Sequence, residues 1–206
     1  IGCSARGARR NQSQLMAGTQ YLCFGEYMIF KSSNSYKINS CETIEVFYNL
    51  RTDLDKLNYA AHITKIIQDT TYENQSTYKV LQLFLNTLYA ISETNKNIDL
   101  ILSAFKMRLM CLLGFMPNIR NCINCSNEDS IQFFSLKDNS FKCSSCGKLD
   151  TSCISLSPTT IDALRYIIMC DSKKLFSFNL PDDSLTELKL VCNLYLNEKL
   201  EKEYKI

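Results

Sequence analysis

Cys122-Ile-Asn-Cys125, then seventeen residues, then Cys143-Ser-Ser-Cys146 followed by Gly147, is the stretch around which the rest of the chain is arranged. Two residues between the members of a pair let a tight turn aim both sulfurs at one point. Two such turns facing each other complete a tetrahedral four-thiolate site with no open position. The gap has room for a hairpin, with Ile131–Ser135 and 140–142 as its strands and Asp138-Asn139 at its turn. The pattern points to structural Zn²⁺ on Cys122, Cys125, Cys143 and Cys146, against disulfides or four unconnected thiols. A saturated thiolate site neither activates water nor polarises a substrate. Its contribution is folding free energy, on the order of 10 kcal/mol. The single histidine, His62, falls far away on an expected helix and reads as an ordinary partly buried side chain rather than a ligand.

At 206 residues the chain fits one or two domains, and 46% hydrophobic residues suffice for a sizeable core. No apolar run approaches the roughly twenty residues of a membrane span. The longest, 98–116, is interrupted by Asp99, Lys106 and Arg108 and reads as an amphipathic buried helix. A net charge of +2 is too small to argue nucleic-acid binding from the total, so its distribution must decide. Of eleven cysteines, four make the candidate site and seven stand singly in apolar contexts such as Met110-Cys111-Leu112. That scatter favours a reducing compartment, hence cytoplasm. The chain starts at Ile1 rather than Met, without a charged-then-apolar leader, and the start reads as an internal cut.

Residues 1–48 read as a small β-rich module. Ser4 to Ser13 is polar and basic with no apolar period. An aromatic strand follows from Gln20 to Phe30 (Tyr21, Phe24, Tyr27, Phe30), with Gly25 at a bulge or barrel bend. Asn34-Ser35 is expected to turn, and Tyr36 to Cys41 and Glu42 to Phe47 read as two more strands. From Arg51 the period becomes helical. Asp53 caps a helix ending near Asp69, Ser76 or Thr77 opens a second, and a third runs from Ile98 to Leu113 and stops at Gly114. Ser157-Pro158 opens the fourth helix and Asp182 or Asp183 the last. The expected fold class is α+β, a partial barrel followed by a helical bundle with a four-cysteine zinc finger inserted.

Arg6, Arg9, Arg10, Lys31 and Lys37 stand against Glu26 alone in residues 1–37. Guanidinium groups grip phosphates through forked, charge-assisted hydrogen bonds, and neighbouring aromatics can stack single-stranded bases. The alternative is a solvated basic loop whose aromatics face the barrel core. Catalysis is poorly supported, with one histidine, no activated nucleophile motif and no Gly-rich phosphate loop. A thiol redox role calls for a lone Cys-x-x-Cys near a βαβ pattern, not two pairs at zinc spacing.

The order of these features resembles the bacterial RecO recombination mediator family. The resemblance rests on Arg6-Gly7-Ala8-Arg9-Arg10 with Ser13 and Ala17-Gly18, and on Leu50-Arg51-Thr52-Asp53-Leu54. It rests further on the run Ala104 to Pro117, on Asn121-Cys122-Ile123-Asn124-Cys125, and on Tyr195-Leu196 through Lys202. It implies an N-terminal OB-fold over 1–48 and a helical domain over 49–206, with the finger inserted at 119–149. It also implies a non-enzymatic role in recombinational DNA repair in the bacterial cytoplasm, associated with the nucleoid. Such proteins bind single-stranded DNA, anneal complementary strands, bind RecR and help RecA replace single-strand-binding protein, which itself docks on the helical domain in some members. Arg6, Arg9 and Arg10 become the implied DNA contacts. Only about three strands precede the helices, against the five of an OB-fold. The first strands are therefore expected upstream of Ile1, leaving a partial barrel with exposed edges. The runner-up function is a protein-interaction adaptor working through the helical and zinc-bearing part without gripping DNA.

Overall fold

Alternating polar and apolar residues after Cys23 produce two long strands, β2 (Phe24–Lys31) and β3 (Tyr36–Glu45), paired antiparallel. The computed structural model describes residues 1–33, 35–73 and 76–205. The chain divides into two units, Ile1–Leu57 and Asn58–Ile206.

In the first unit a two-residue strand, β1 (Cys3–Ser4), lies parallel to β3, giving the order β1-β3-β2. The sheet stays open; among the described residues it does not close into a barrel. The register shifts between Phe24 and Gly25 and again between Met28 and Ile29. A Cβ at Gly25 would collide with the Glu42 carbonyl, so glycine is what lets the strands approach at this bulge. Two expectations are corrected. Tyr36 to Cys41 and Glu42 to Phe47 are not separate strands; they form one strand to Glu45, because no Gly or Pro interrupts the alternation. The break comes at Phe47, whose φ of 46° turns the chain into a short helix, α1 (Tyr48–Arg51), missed by the helical period beginning at Arg51. β1 lies at the head of the basic stretch and overlaps it only at Ser4. Of the expected Asn34-Ser35 turn, Asn34 lies outside the described residues.

The helices fall where the periodicity predicts them. α2 (Leu54–Thr70) starts under Asp53, whose Oδ1 accepts from the Asp55 and Lys56 N–H groups at 2.9 and 3.1 Å. α3 (Tyr78–Glu93) follows Thr77, and α4 (Ile98–Leu112) is capped by Asn97. α4 ends at Gly114, with φ +94°, where the Phe115 N–H reaches back to the Met110 carbonyl at 2.8 Å. It is not amphipathic as expected. Leu100 to Met107, Leu109 and Met110 are all buried, Lys106 included, because α3, α6 (Pro158–Met169) and α7 (Asp182–Lys199) pack around it. An apolar run broken by three charges is buried on every side once a charge finds an internal partner, and Lys106 donates to Asn193 Oδ1 at 2.7 Å.

The C-terminal segment is tied down by Asp69 of α2, which accepts from Lys202 at 2.6 Å, Lys65 at 2.9 Å and the Tyr204 hydroxyl at 3.1 Å. Lys202 first, then Lys65 and Tyr204, hold its carboxyl down from 3.8 to about 2. A depressed carboxyl stabilises the fold above its unfolded value and loses that contribution as the pH falls through its folded one. The tether is therefore expected to hold above about pH 4 and to open between there and about pH 2. Hydrogen exchange at the Tyr204 amide, which donates to Asn197 Oδ1 at 3.2 Å, reports it. Asp69→Asn should give the same loss of protection at neutral pH, and protection indifferent to both changes would contradict the assignment.

Candidate metal centre

The insert between α4 and α6 begins as a hairpin. β4 (Ile131–Ser135) pairs antiparallel with β5 (Ser140–Cys143), turning through Asn139 at φ 51°, and β6 (Cys153–Ser155) pairs with the other edge of β4. The hairpin follows the expected strands; β6 was not foreseen, since three residues carry too little alternation to be read. A short helix, α5 (Ser144–Lys148), follows β5 directly. Gly147 on it lies so near the Phe133 ring that any Cβ would collide, so the glycine after the second pair is a packing requirement.

One cysteine pair sits on a turn closed by Ser126 N–H to Cys122 O at 2.8 Å and Cys122 N–H to Asn127 O at 2.7 Å, with Ser126 at φ 60°. The other spans the end of β5 and the first turn of α5. The four sulfurs lie within 4.8 Å of one another, Cys122 and Cys143 buried, Cys146 half-buried and Cys125 exposed. Cys125 Sγ and Cys143 Sγ are 3.7 Å apart. Metal–sulfur bonds of about 2.3 Å in a tetrahedron place sulfurs about 3.8 Å apart, so the set fits one ion and is too open for disulfides. Burial alone would push the Cys122 thiol up, but N–H groups of Cys143, Cys125 and Asn124 outweigh it and hold the group down at about 6. The Cys146 N–H likewise holds Cys143 down, while hydrogen bonds to Cys143 and Cys125 push Cys146 up to about 12. Backbone donors therefore already favour negative sulfur at two of the four positions. The four cysteines can hold a metal ion.

Behind the sulfurs the insert is anchored by an ion cage and an aromatic stack that sequence reasoning passed over. Lys142, almost fully buried, bridges Asp138 at 2.6 Å and Asp150 at 2.7 Å, and Ser135 Oγ donates to Asp138 at 2.9 Å. The only signal in the sequence was the four-residue spacing of Asp138 and Lys142. Phe134 meets Phe141 edge-on at 5.8 Å and Tyr195 of α7 at 5.5 Å. Tyr195, wholly buried, also donates to the Phe115 carbonyl at 2.7 Å, linking insert, α7 and the end of α4.

The three arginines lie in the first unit on a run of turns, with Ala8 N–H to Ala5 O, Arg10 N–H to Gly7 O and Ser13 N–H to Arg10 O at 3.0–3.3 Å. All three are exposed, and among the described residues none forms an ion pair. The aromatics divide. Tyr27 is committed inward, donating to the Gly18 carbonyl at 2.7 Å, and Phe24 is half-buried, whereas Tyr21 and Phe30 face solvent. His62 is half-buried on α2 with its Nε2 unpartnered, and burial, then the charge of Lys106, lowers it to about 4. It is not a ligand to the cysteine cluster. Among the described residues no helix is long and apolar enough to cross a membrane.

Comparison with known proteins gives a consistent result. A family model described as Recombination protein O C terminal matches residues 51–205. The DNA repair protein RecO of Acetivibrio thermocellus is 42% identical over 206 residues, covering 99% of this chain and 82% of that protein. The RecO proteins of Alkaliphilus metalliredigens and Bacillus subtilis are 31% and 29% identical, over 100% and 96% of this chain and 79% and 77% of their own lengths.

Proposed function

The chain belongs to the RecO family of DNA repair proteins, and on that premise we propose that it is a recombination mediator without catalysis. In this reading it binds single-stranded DNA and promotes annealing. With RecR it helps load RecA onto DNA covered by single-strand-binding protein, in the bacterial cytoplasm at the nucleoid. Residues 1–48 serve as the partial OB-fold and 49–206 as the helical domain, with the finger at 119–149. The observation that carries the reading is the exposed, unpaired group Arg6, Arg9 and Arg10 on one short run of turns, in a unit that also exposes Tyr21 and Phe30 to solvent. Unpaired guanidinium groups supply phosphate contacts and exposed rings supply stacking, a combination tolerant of sequence. The metal on Cys122, Cys125, Cys143 and Cys146 is structural Zn²⁺. Four thiolates saturate it and leave no position for a substrate, so its chemistry is to hold the insert's fold.

The test is fluorescence anisotropy of the chain with a labelled single-stranded oligonucleotide across a salt series. Three phosphate contacts at about −0.7 each give an expected log–log slope of about −2. Changing Arg9 and Arg10 to Ala should flatten the slope to about −0.7 and leave metal content unchanged. An unchanged slope in the double variant removes the arginines from the interface. The open three-stranded sheet favours one second reading, an adaptor working through the helical unit. Absence of binding by a folded, metal-loaded chain would select it.

A further inference from the structure

A cavity of about 450 Å³ opens in the helical unit between α4, α7 and the C-terminal segment, with Lys106, Lys189, Lys205, Asp99, Glu203 and Asn193 on its walls. Its charges do not balance. Asp99 is paired with Lys189 at 2.9 Å and Glu203 with Lys205 at 3.1 Å, so each wall carboxylate already has its own lysine. Lys106 is left over. It is 3% exposed, and among the described residues its ammonium, with three protons to donate, meets a single neutral acceptor, Asn193 Oδ1 at 2.7 Å.

Burial pulls Lys106 down to about 8, which still leaves most of it charged near neutral pH. A buried cation without a counter-charge is costly, and the usual remedy is a paired anion. His62 is not a wall residue, but its ring stands edge-on to Tyr204, which is, at 6.4 Å. Asp99 acts on Lys106 within the cavity but is paired with Lys189, so three lysines stand against two carboxylates on the walls, and the space before them falls within the range of small-molecule sites, about 300–1,000 Å³.

We propose that this cavity is a binding site for a small anion carrying a phosphate or carboxylate group, with Lys106 Nζ donating to the anionic oxygens and Lys189 at the rim drawing the ligand in. The site is separate from the cysteine cluster and from the arginine segment, and it does not depend on DNA binding.

Because His62 is the only histidine, its ring C–H resonance is a single, assigned reporter beside the cavity. The experiment titrates the full chain near neutral pH with inorganic phosphate and, separately, with acetate, at ionic strength held constant with sodium chloride. A saturable movement of the His62 signal is expected with at least one of the two. Movement with phosphate alone identifies a phosphate site and movement with acetate alone a carboxylate site. Lys106→Met keeps the side-chain volume and removes the charge; its titration should be about tenfold weaker, the loss expected for one charge-assisted hydrogen bond. Lys189→Met, half-exposed at the rim, should weaken binding by a smaller factor and serves if Lys106→Met does not fold. No saturable movement with either anion, or an unchanged affinity in the Lys106 and Lys189 variants, would overturn the site.

Discussion

Removing the metal, by chelation or through Cys143→Ala, is expected to unfold the cysteine end of the insert while leaving the helices in place. Cys143 is buried and belongs at once to β5, to the start of α5 and to the four-sulfur cluster, so alanine there removes a ligand with no neighbour to replace it. Binding free energy at such sites is folding free energy, on the order of 10 kcal/mol, which makes this the largest single effect expected in the protein. The loss should be uneven. The turn around Cys122 and Ser126 and the helix α5 rest on the sulfurs, whereas Phe134 and Phe141 are held from behind by Tyr195 and by the Lys142 cage. Hydrogen exchange should show amides of 122–130 and 144–148 losing protection first and those of Phe134 and Phe141 last. Elemental analysis of the native chain should give one zinc per chain. Uniform protection in a metal-free sample would mean that the cysteines carry no structural ion.

The second large effect lies in the bundle. Phe105 of α4 is wholly buried in the helical unit, on the helix against which α3, α6 and α7 pack. Phe105→Ala is expected to destabilise that unit by about 3–5 kcal/mol, transfer and cavity terms together. Denaturant unfolding should show the midpoint falling without change in metal content. A loss below about 1 kcal/mol would mean that α4 is not the central helix its burial indicates.

Both effects could be anticipated from the chain alone to different degrees. The cysteine spacing specified the cluster because only two residues separate each pair, and so short a turn leaves the sulfurs few directions to point. The starts of α2 and α6 and the end of α4 were equally plain, since Asp53 and Ser157 cap by side-chain chemistry that acts locally and Gly114 ends α4 through a φ that other residues resist. What escaped was non-local. That Tyr36 to Glu45 is one strand depends on its partner β2, bulged at Gly25 to match it. That Lys106 is buried depends on Asn193, far along the chain on α7. The burial of Lys142 depends on Asp150, which closes the far side of its cage from beyond the hairpin. The arginine segment was visible as composition, but its exposure depends on a succession of turns that no periodicity marks.

The packing of α4 against α7 bears on how the chain is made. About seventy residues separate the two helices, so at about 5–20 residues per second α4 waits roughly 4–14 seconds for its cover to leave the ribosome. Everything between them, the cysteine insert included, emerges in that interval. The insert, with its four cysteines able to hold a metal ion, can therefore settle as a local unit while the core is unfinished. The side of α4 that α7 covers stays open until α7 arrives, which leaves apolar surface exposed over that interval and makes α7 the element that completes the core.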